Sequence, residues 1–458
     1  MTQVTNEVSI RPGFWETMER SKKKHAHIIM VATKPDIIKQ APLYLELVKR
    51  GELVILAHTG QHYDYNLSEG VLQEFGMQVD VQLNISGKLH EKFSQIIERL
   101  GNFLLELSEK YDKIPVPYVH GDTLTATTAD KAAFLNKFAV VHVEAGIRTF
   151  TPNEHFYHRV FTEFEHGTFD WEWYYTAMQN HRIYELGSIE PYPEQFDTRG
   201  VEPSTGYFAV PHEIYKRTLM DEGFSSDRIE VVGNTVADAV RLSCMKIPES
   251  QAFDLYPNMR GKKLIFITIH RRENCEVKER FMAIYYGIKK LIKEGYPVCF
   301  LGLNASESAI DRYGLRRDIE DLKFEYPENF AYGPALAHHH EVMDMITHAG
   351  CVMTDSGSMQ EEANIVGVPC VTVRFGSDRS ETLLAGANIL APPVNARLIA
   401  EITRWAYDNT NMRKWNLYGE NVSEKIVDGV KRLLEKEGKL FRLDHERLGV
   451  EKYFNWEI

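Results

Sequence analysis

Short, nearly unbroken apolar runs recur along the chain, each bounded by glycine, proline or a polar cluster and followed by a stretch of helical periodicity. The first series is "HIIMVA" (27–32), "LVILAH" (53–58), "VPYVHG" (116–121), "FAVVHVEAG" (138–146) and "RIEVVG" (228–233). Runs this apolar fit strands covered on both faces, so the alternation predicts parallel strands joined by crossover helices. A second series follows with "KLIFITIH" (263–270), "PVCFLGL" (297–303), "GCVMTDSG" (350–357) and "PCVTVRF" (369–375). The expected fold class is therefore α/β, with two Rossmann-like, doubly wound domains. Between the series, "KIPESQAFDLYPNMRGKK" breaks the periodicity with two prolines and a glycine, which sets the boundary near residue 240. The expected layout is an N-terminal extension (1–25), a first domain (26–240), a second domain (241–405) and a helical segment (406–458) packing back on the first. Helical periodicity runs from about 396 to Gly438.

With 458 residues and 43% apolar content, the chain can bury two ordinary cores. No apolar run approaches the roughly 18 to 20 residues of a membrane span, and "MTQVTNEVSIRPGFWETMERSKKKHAH" contains no apolar signal region, so a cytoplasmic protein without a membrane partner is expected. The five cysteines (Cys244, Cys275, Cys299, Cys351, Cys370) form no C-x-x-C pair, which argues against a disulfide framework or a zinc knuckle. A formal charge of −12 opposes a nucleic-acid partner, while leaving room for a local basic pocket that binds a small anion.

Open parallel sheets bind ligands beyond the carboxyl ends of their strands, so the residues there carry most of the chemical information. Four such ends are loaded: His120-Gly121-Asp122-Thr123, Glu144-Ala145-Gly146, His270-Arg271-Arg272-Glu273-Asn274 and Asp355-Ser356-Gly357-Ser358. In the last, a small turn opening a helix would aim free backbone N–H groups at a phosphate. Glu361 or Glu362, further into that helix, would suit a ribose diol. The competing reading is local: Asp355 or Ser356 caps the helix and the glutamates complement its dipole. Three adjacent histidines, His338 to His340, seldom converge on one ion, so no metal is expected.

In order and spacing, "TGQH", "HGDT", "HVEAGIRT", "GNTVADAV", "HRREN" and "TDSGSMQEEA" resemble the UDP-N-acetylglucosamine 2-epimerases, over about residues 26 to 430. The resemblance implies the GT-B fold with a cleft between its two domains, and elimination of a nucleoside diphosphate across C1–C2 of a UDP-sugar. Re-addition, or hydrolysis, then gives the manno-configured sugar. No cofactor is implied, and homodimers are common in the family. Carried over by motif, the catalytic candidates are Asp122, Glu144, Glu194 and His270. The substrate and nucleotide candidates are Lys34, Lys39, Arg199, Arg271, Asn304, Ser356, Gly357, Ser358, Glu362 and Arg379.

Several positions depart from the family pattern. Lys34 stands for an arginine, Ser380 for a proline, Ser358 for a glycine, and Gly302 for a histidine two residues before Asn304. Val342 falls where many members place an aromatic near the base, and Tyr63 and Asp64 alter the "TGQH" region used for substrate activation. Between Arg148 and Phe208 the chain inserts about 35 residues, rich in Phe, Trp and Tyr, expected within the first domain near 155–190. It separates two candidates for a third carboxylate, Glu194 (with Arg199) and Glu154 (with Arg159); Glu194 keeps the better spacing onward. The insertion would stack on a larger sugar or lid the cleft, or else form a satellite core or a subunit interface. A GT-B glycosyltransferase and a catalytically silent nucleotide-sugar-binding protein are the alternatives to an epimerase.

Overall fold

A computed structural model describes residues 8–60, 69–186 and 194–442. The chain forms two compact units, one built from the described parts of Met1–Gly146, Phe196–Thr235 and Asn421–Ile458, the other from Ile147–Gln195 and Val236–Glu420.

In the first unit the described strands form an eight-stranded sheet, in the spatial order Ser9–Ile10, Val81–Gln82, Leu53–His58, His25–Val31, Ile114–His120, Val140–Val143, Thr205–Val210, Ile229–Val231. All neighbours are parallel except the short edge strand Ser9–Ile10. Ile28, Ile29, Val31, Ile55 and Val140 are wholly buried, as expected for a sheet covered on both faces. Helices Lys34–Lys49, Leu89–Tyr111 and Leu124–Leu135 follow strands in the crossover pattern, and Pro35 sits in the first turn of its helix, where a missing N–H costs nothing.

The second unit's described strands form a six-stranded parallel sheet in the order Phe330–Pro334, Val298–Gly302, Leu264–Thr268, Ala349–Thr354, Cys370–Thr372, Asn388–Leu390. A separate two-stranded ribbon pairs Phe150–Pro152 with Tyr184–Leu186. Each sheet has a point where strand order reverses. In the first, His25–Val31 lies between Leu53–His58 and Ile114–His120; in the second, Leu264–Thr268 lies between Val298–Gly302 and Ala349–Thr354. Crevices at the carboxyl ends of such strands are where α/β sheets receive ligands.

Two expectations need correction. The aromatic insertion groups with the second unit, not the first: Phe156, Val160, Phe164, Tyr174 and Met178 join the core that holds Val371, Leu383 and Leu390. The segment 396–437 is not one helical piece, because helix Ala396–Asp408 belongs to the second unit and Val422–Glu437 to the first. Asn421, at φ 52°, opens the latter helix, and Gly438 closes it. The five cysteines are free thiols. Among the described residues no helix is long and apolar enough to cross a membrane.

Candidate active site

The first unit gathers its charge around Glu144. The strand read as 138–146 stops at Val143, because Glu144 takes a left-handed backbone conformation (φ 65°). A non-glycine residue held there stores strain of about 1–3 kcal/mol, a feature that clusters at functional sites. Its carboxylate is 2% exposed. Three groups converge on one oxygen, Oε2: Lys39 Nζ at 2.6 Å, the Asn234 amide at 2.6 Å and His120 Nε2 at 3.3 Å. The other oxygen, Oε1, lies over the Gly121 turn, 3.4 Å from where a Cβ at Gly121 would stand. His142 Nε2, 2.8 Å from the Gly121 carbonyl, fixes that turn from below.

Asp122 occupies the turn, half-buried. The following helix is capped by Thr123, whose hydroxyl accepts the Ala126 N–H at 3.2 Å, so capping does not account for the Asp122 carboxylate. Two further carboxylates join this neighbourhood. Asp36 is buried and raised above its ordinary pKa by desolvation, against the opposing pull of His120, Thr33 and Lys39. Asp197 is also buried; desolvation and the Asp122 charge push it up to about 6, although it accepts a hydrogen bond from Thr127 Oγ1 at 2.9 Å. Sequence reading missed both, together with the roles of His120 and Asn234, although "HGDT" and "GNTVADAV" contain the latter two. Asp36 carries a local signal, the Thr33-x-x-Asp36 capping box, which points to a helix start and not to a site. For Asp197 the sequence offers none.

Of the other candidates, Lys34 and Arg199 belong to the first unit and Glu194 to the second. Lys34 is half-buried in the first turn of Lys34–Lys49, and Arg199 is exposed, 3.4 Å from Glu222. Glu194 begins helix Glu194–Val201, with its side chain outside the described residues; Gln61, His62, Tyr63 and Asp64 of the activation region lie outside them as well. Glu154, the competing third carboxylate, is exposed at the start of helix Glu154–His166 in the second unit.

In the second unit the chemistry is arranged by buried acids. Asp355 does not cap its own helix. It accepts the backbone N–H of His270 and of Arg271, both at 3.0 Å, and the Asn274 amide at 3.0 Å, so it shapes the 270–274 turn. The His270 imidazole is left 41% exposed, with Nδ1 3.4 Å from Asp355. Ser356 is the N-cap of helix Gly357–Ile365 without a side-chain cap bond; it and Ser358 are half-buried. Gly357 sits in a close approach: a Cβ there would stand 3.2 Å from the Arg379 guanidinium carbon and 3.3 Å from Asp378 Oδ2.

Arg379 is thus not a surface arginine. It is 3% exposed and commits its guanidinium to Glu361 and to Asp378 (3.1 Å), backing the turn from inside. Burial alone would raise the Asp378 pKa, but Arg379, Arg374 and Arg271 overcome it and hold the carboxylate well below the usual range. Arg271 reaches Asp378 at 3.5 Å and Glu273 at 3.8 Å. Glu362 is buried 3.1 Å from His339 Nε2, whose Nδ1 lies 2.8 Å from the Ser243 hydroxyl. Asn304 is exposed at the start of helix Asn304–Arg312. At Gly302 a Cβ would meet the Glu307 carboxylate and the Tyr332 hydroxyl, so a larger residue there requires these side chains to move. Tyr332 donates to Glu307, which also takes Arg316 at 2.6 Å.

The family profile for UDP-N-acetylglucosamine 2-epimerase matches residues 46–161 and 187–431. The chain belongs to the UDP-N-acetylglucosamine 2-epimerase family. The match passes over 162–186, the heart of the aromatic insertion. Among curated relatives, UDP-N-acetylglucosamine 2-epimerases of Methanocaldococcus jannaschii and Neisseria meningitidis are each 28% identical, over 413 and 414 residues, covering 87% of this chain and 97% of theirs. The crystal structure of the Neisseria meningitidis enzyme bound to UDP-GlcNAc superposes with a TM-score of 0.71 at 26% identity, over 89% of this chain and all of that one. The fold is accordingly the α/β type of this family, with two Rossmann-like units.

Proposed function

We propose that this chain is a nucleotide-sugar 2-epimerase acting on UDP-N-acetylglucosamine or a modified relative. The observation that carries the reading is Glu144: a buried carboxylate in a strained backbone conformation, with Lys39, Asn234 and His120 on one oxygen and the Gly121–Asp122 turn beside the other. A weakly acidic C2 proton needs a positioned carboxylate to remove it while negative charge builds on the departing diphosphate. Glu144 and Asp122 serve as the base and acid at C2. The C2–H electrons form the C1=C2 bond, the C1–O bond breaks, and the nucleoside diphosphate leaves with its electron pair. Protonation from the opposite face at C2, with diphosphate re-addition at C1, inverts the centre. Glu194 is retained as the third carboxylate.

The second unit holds the nucleotide. His270 assists departure of the diphosphate, Arg271 pairs with it, and the Ser356 hydroxyl with the N–H groups at Gly357 and Ser358 caps a phosphate at the helix start. Glu362 takes the ribose. Lys34, Arg199 and Asn304 complete the contacts, and Arg379 supports the turn. The protein works as a cytoplasmic homodimer, and light scattering of the purified chain tests the stoichiometry.

The deciding experiment is a proton NMR time course in D2O with UDP-, GDP- and CDP-sugars. Deuterium at C2 of an epimer that keeps its nucleotide establishes reversible elimination; free sugar with nucleoside diphosphate establishes the hydrolytic outcome. A panel in which no sugar exchanges its C2 proton overturns the assignment.

A further inference from the structure

The aromatic insertion is tied to the loop that organises the second unit's anion-facing residues. Its base is the ribbon of Phe150–Pro152 and Tyr184–Leu186, closed by the Asn153 N–H on the Ile183 carbonyl at 2.7 Å. Its body is anchored in the core: the Tyr174 hydroxyl donates to the Leu390 carbonyl at 2.7 Å and the Tyr175 hydroxyl to Gly386 at 3.0 Å. From this fixed body three contacts reach residues 374–379. Phe150 and Ser377 exchange both backbone hydrogen bonds, at 2.9 and 3.0 Å, and the Tyr157 hydroxyl donates to the Phe375 carbonyl. The Tyr157 ring also meets the Phe375 ring edge-on, with centroids 5.8 Å apart.

The same loop supplies Asp378, which Arg271, Arg374 and Arg379 share at 3.5, 3.0 and 3.1 Å. It is locked to the helix Gly357–Ile365 by Ser377, whose hydroxyl donates to Gln360 at 2.6 Å and accepts the Arg379 N–H at 2.9 Å. An uninterrupted path of bonds therefore runs from the insertion through residues 374–379 to Arg271 and the Gly357 turn.

We propose that the insertion is a brace that sets the 374–379 loop for diphosphate binding, with Tyr157 as a positioning residue that acts through Phe375, Asp378 and Arg271. The proposal rests on the nucleotide-binding reading of the second unit. It assigns the aromatic residues to support and not to stacking on the sugar.

The test compares Tyr157→Phe and Tyr174→Phe with the wild-type chain, using UDP as the probe in calorimetry, steady-state kinetics with UDP-N-acetylglucosamine, and thermal melting. Tyr157→Phe keeps the ring and removes one hydrogen bond, so its UDP Kd and its KM should rise about five-fold or more, with kcat within about two-fold. Tyr174→Phe keeps its ring packed in the core and the Tyr175 anchor in place, and removes one bond to Leu390 away from the loop, so it should lower the melting temperature while leaving UDP affinity unchanged. Wild-type UDP affinity in Tyr157→Phe, or an equal loss of affinity in both variants, overturns the brace. A wild-type chain with no affinity for UDP removes the nucleotide-binding reading itself, and the brace with it.

Discussion

The two units use buried carboxylates in opposite ways. In the first, Glu144 is surrounded by cationic and amide donors on one oxygen, while burial raises Asp36 above its ordinary pKa and pushes Asp197 up to about 6. In the second, Asp355 accepts backbone N–H groups and shapes a turn, and three guanidiniums hold the Asp378 carboxylate well below the usual range. The contrast teaches that an acid at a strand end is not evidence of acid–base chemistry by itself. What distinguishes the two kinds is whether the acid is spent on holding a turn in place or sits in a strained backbone conformation or is raised by burial.

The largest expected effect separates them directly. Glu144→Gln keeps the shape and removes the titratable oxygen, so turnover and C2 exchange should fall by about 10²–10⁴-fold. UDP affinity should stay within about two-fold of wild type, because Glu144 is not among the proposed nucleotide contacts. Stopped exchange with intact calorimetric binding sharpens the contrast; a parallel loss of both would break it.

Next in size is Asp355→Ala. Removing the carboxylate leaves the His270 and Arg271 N–H groups and the Asn274 amide without this acceptor, each at a cost of about 1–3 kcal/mol when buried. Chemical denaturation should show a loss of about 3 kcal/mol or more, and UDP binding should weaken with it. Near-wild-type stability would mean that Asp355 is not the scaffold its bonds make it.

Much of the fold was legible from the apolar runs, since strands covered on both faces have no polar alternation to blur them. The strands left unmarked, among them Thr205–Val210, Phe330–Pro334 and Asn388–Leu390, are short or interrupted by glycine and proline, which weakens a periodic signal. Within the site, Asp122, Glu144 and His270 could be named because the motifs place them at strand ends. Their states could not be, because pairing and burial are tertiary. "EEA" does not say that Glu361 faces Arg379 while Glu362 faces His339, nor does "DRSE" say that Arg379 turns inward behind Gly357. The insertion's attachment was equally hidden: aromatic composition shows that the segment buries surface, not which unit receives it.

The smallest expected effect concerns Asp197, and its pH dependence is a fine test of the contrast. Burial raises this carboxyl from 3.8 in the unfolded chain to about 6 in the folded one. Between those values the folded state binds more protons than the unfolded state, so wild-type stability falls as pH rises from about 4 to 6. Asp197→Asn abolishes this titration while still accepting from Thr127. The variant should therefore match wild type near pH 4 and exceed it by about 1–3 kcal/mol above pH 6, by denaturation at each pH. Asp378 supplies the control, since three guanidiniums keep it charged across that window and Asp378→Asn should lower stability by a constant amount there. A wild-type slope that survives in Asp197→Asn would place the proton elsewhere, and the first unit would lose one of the carboxyls that burial raises.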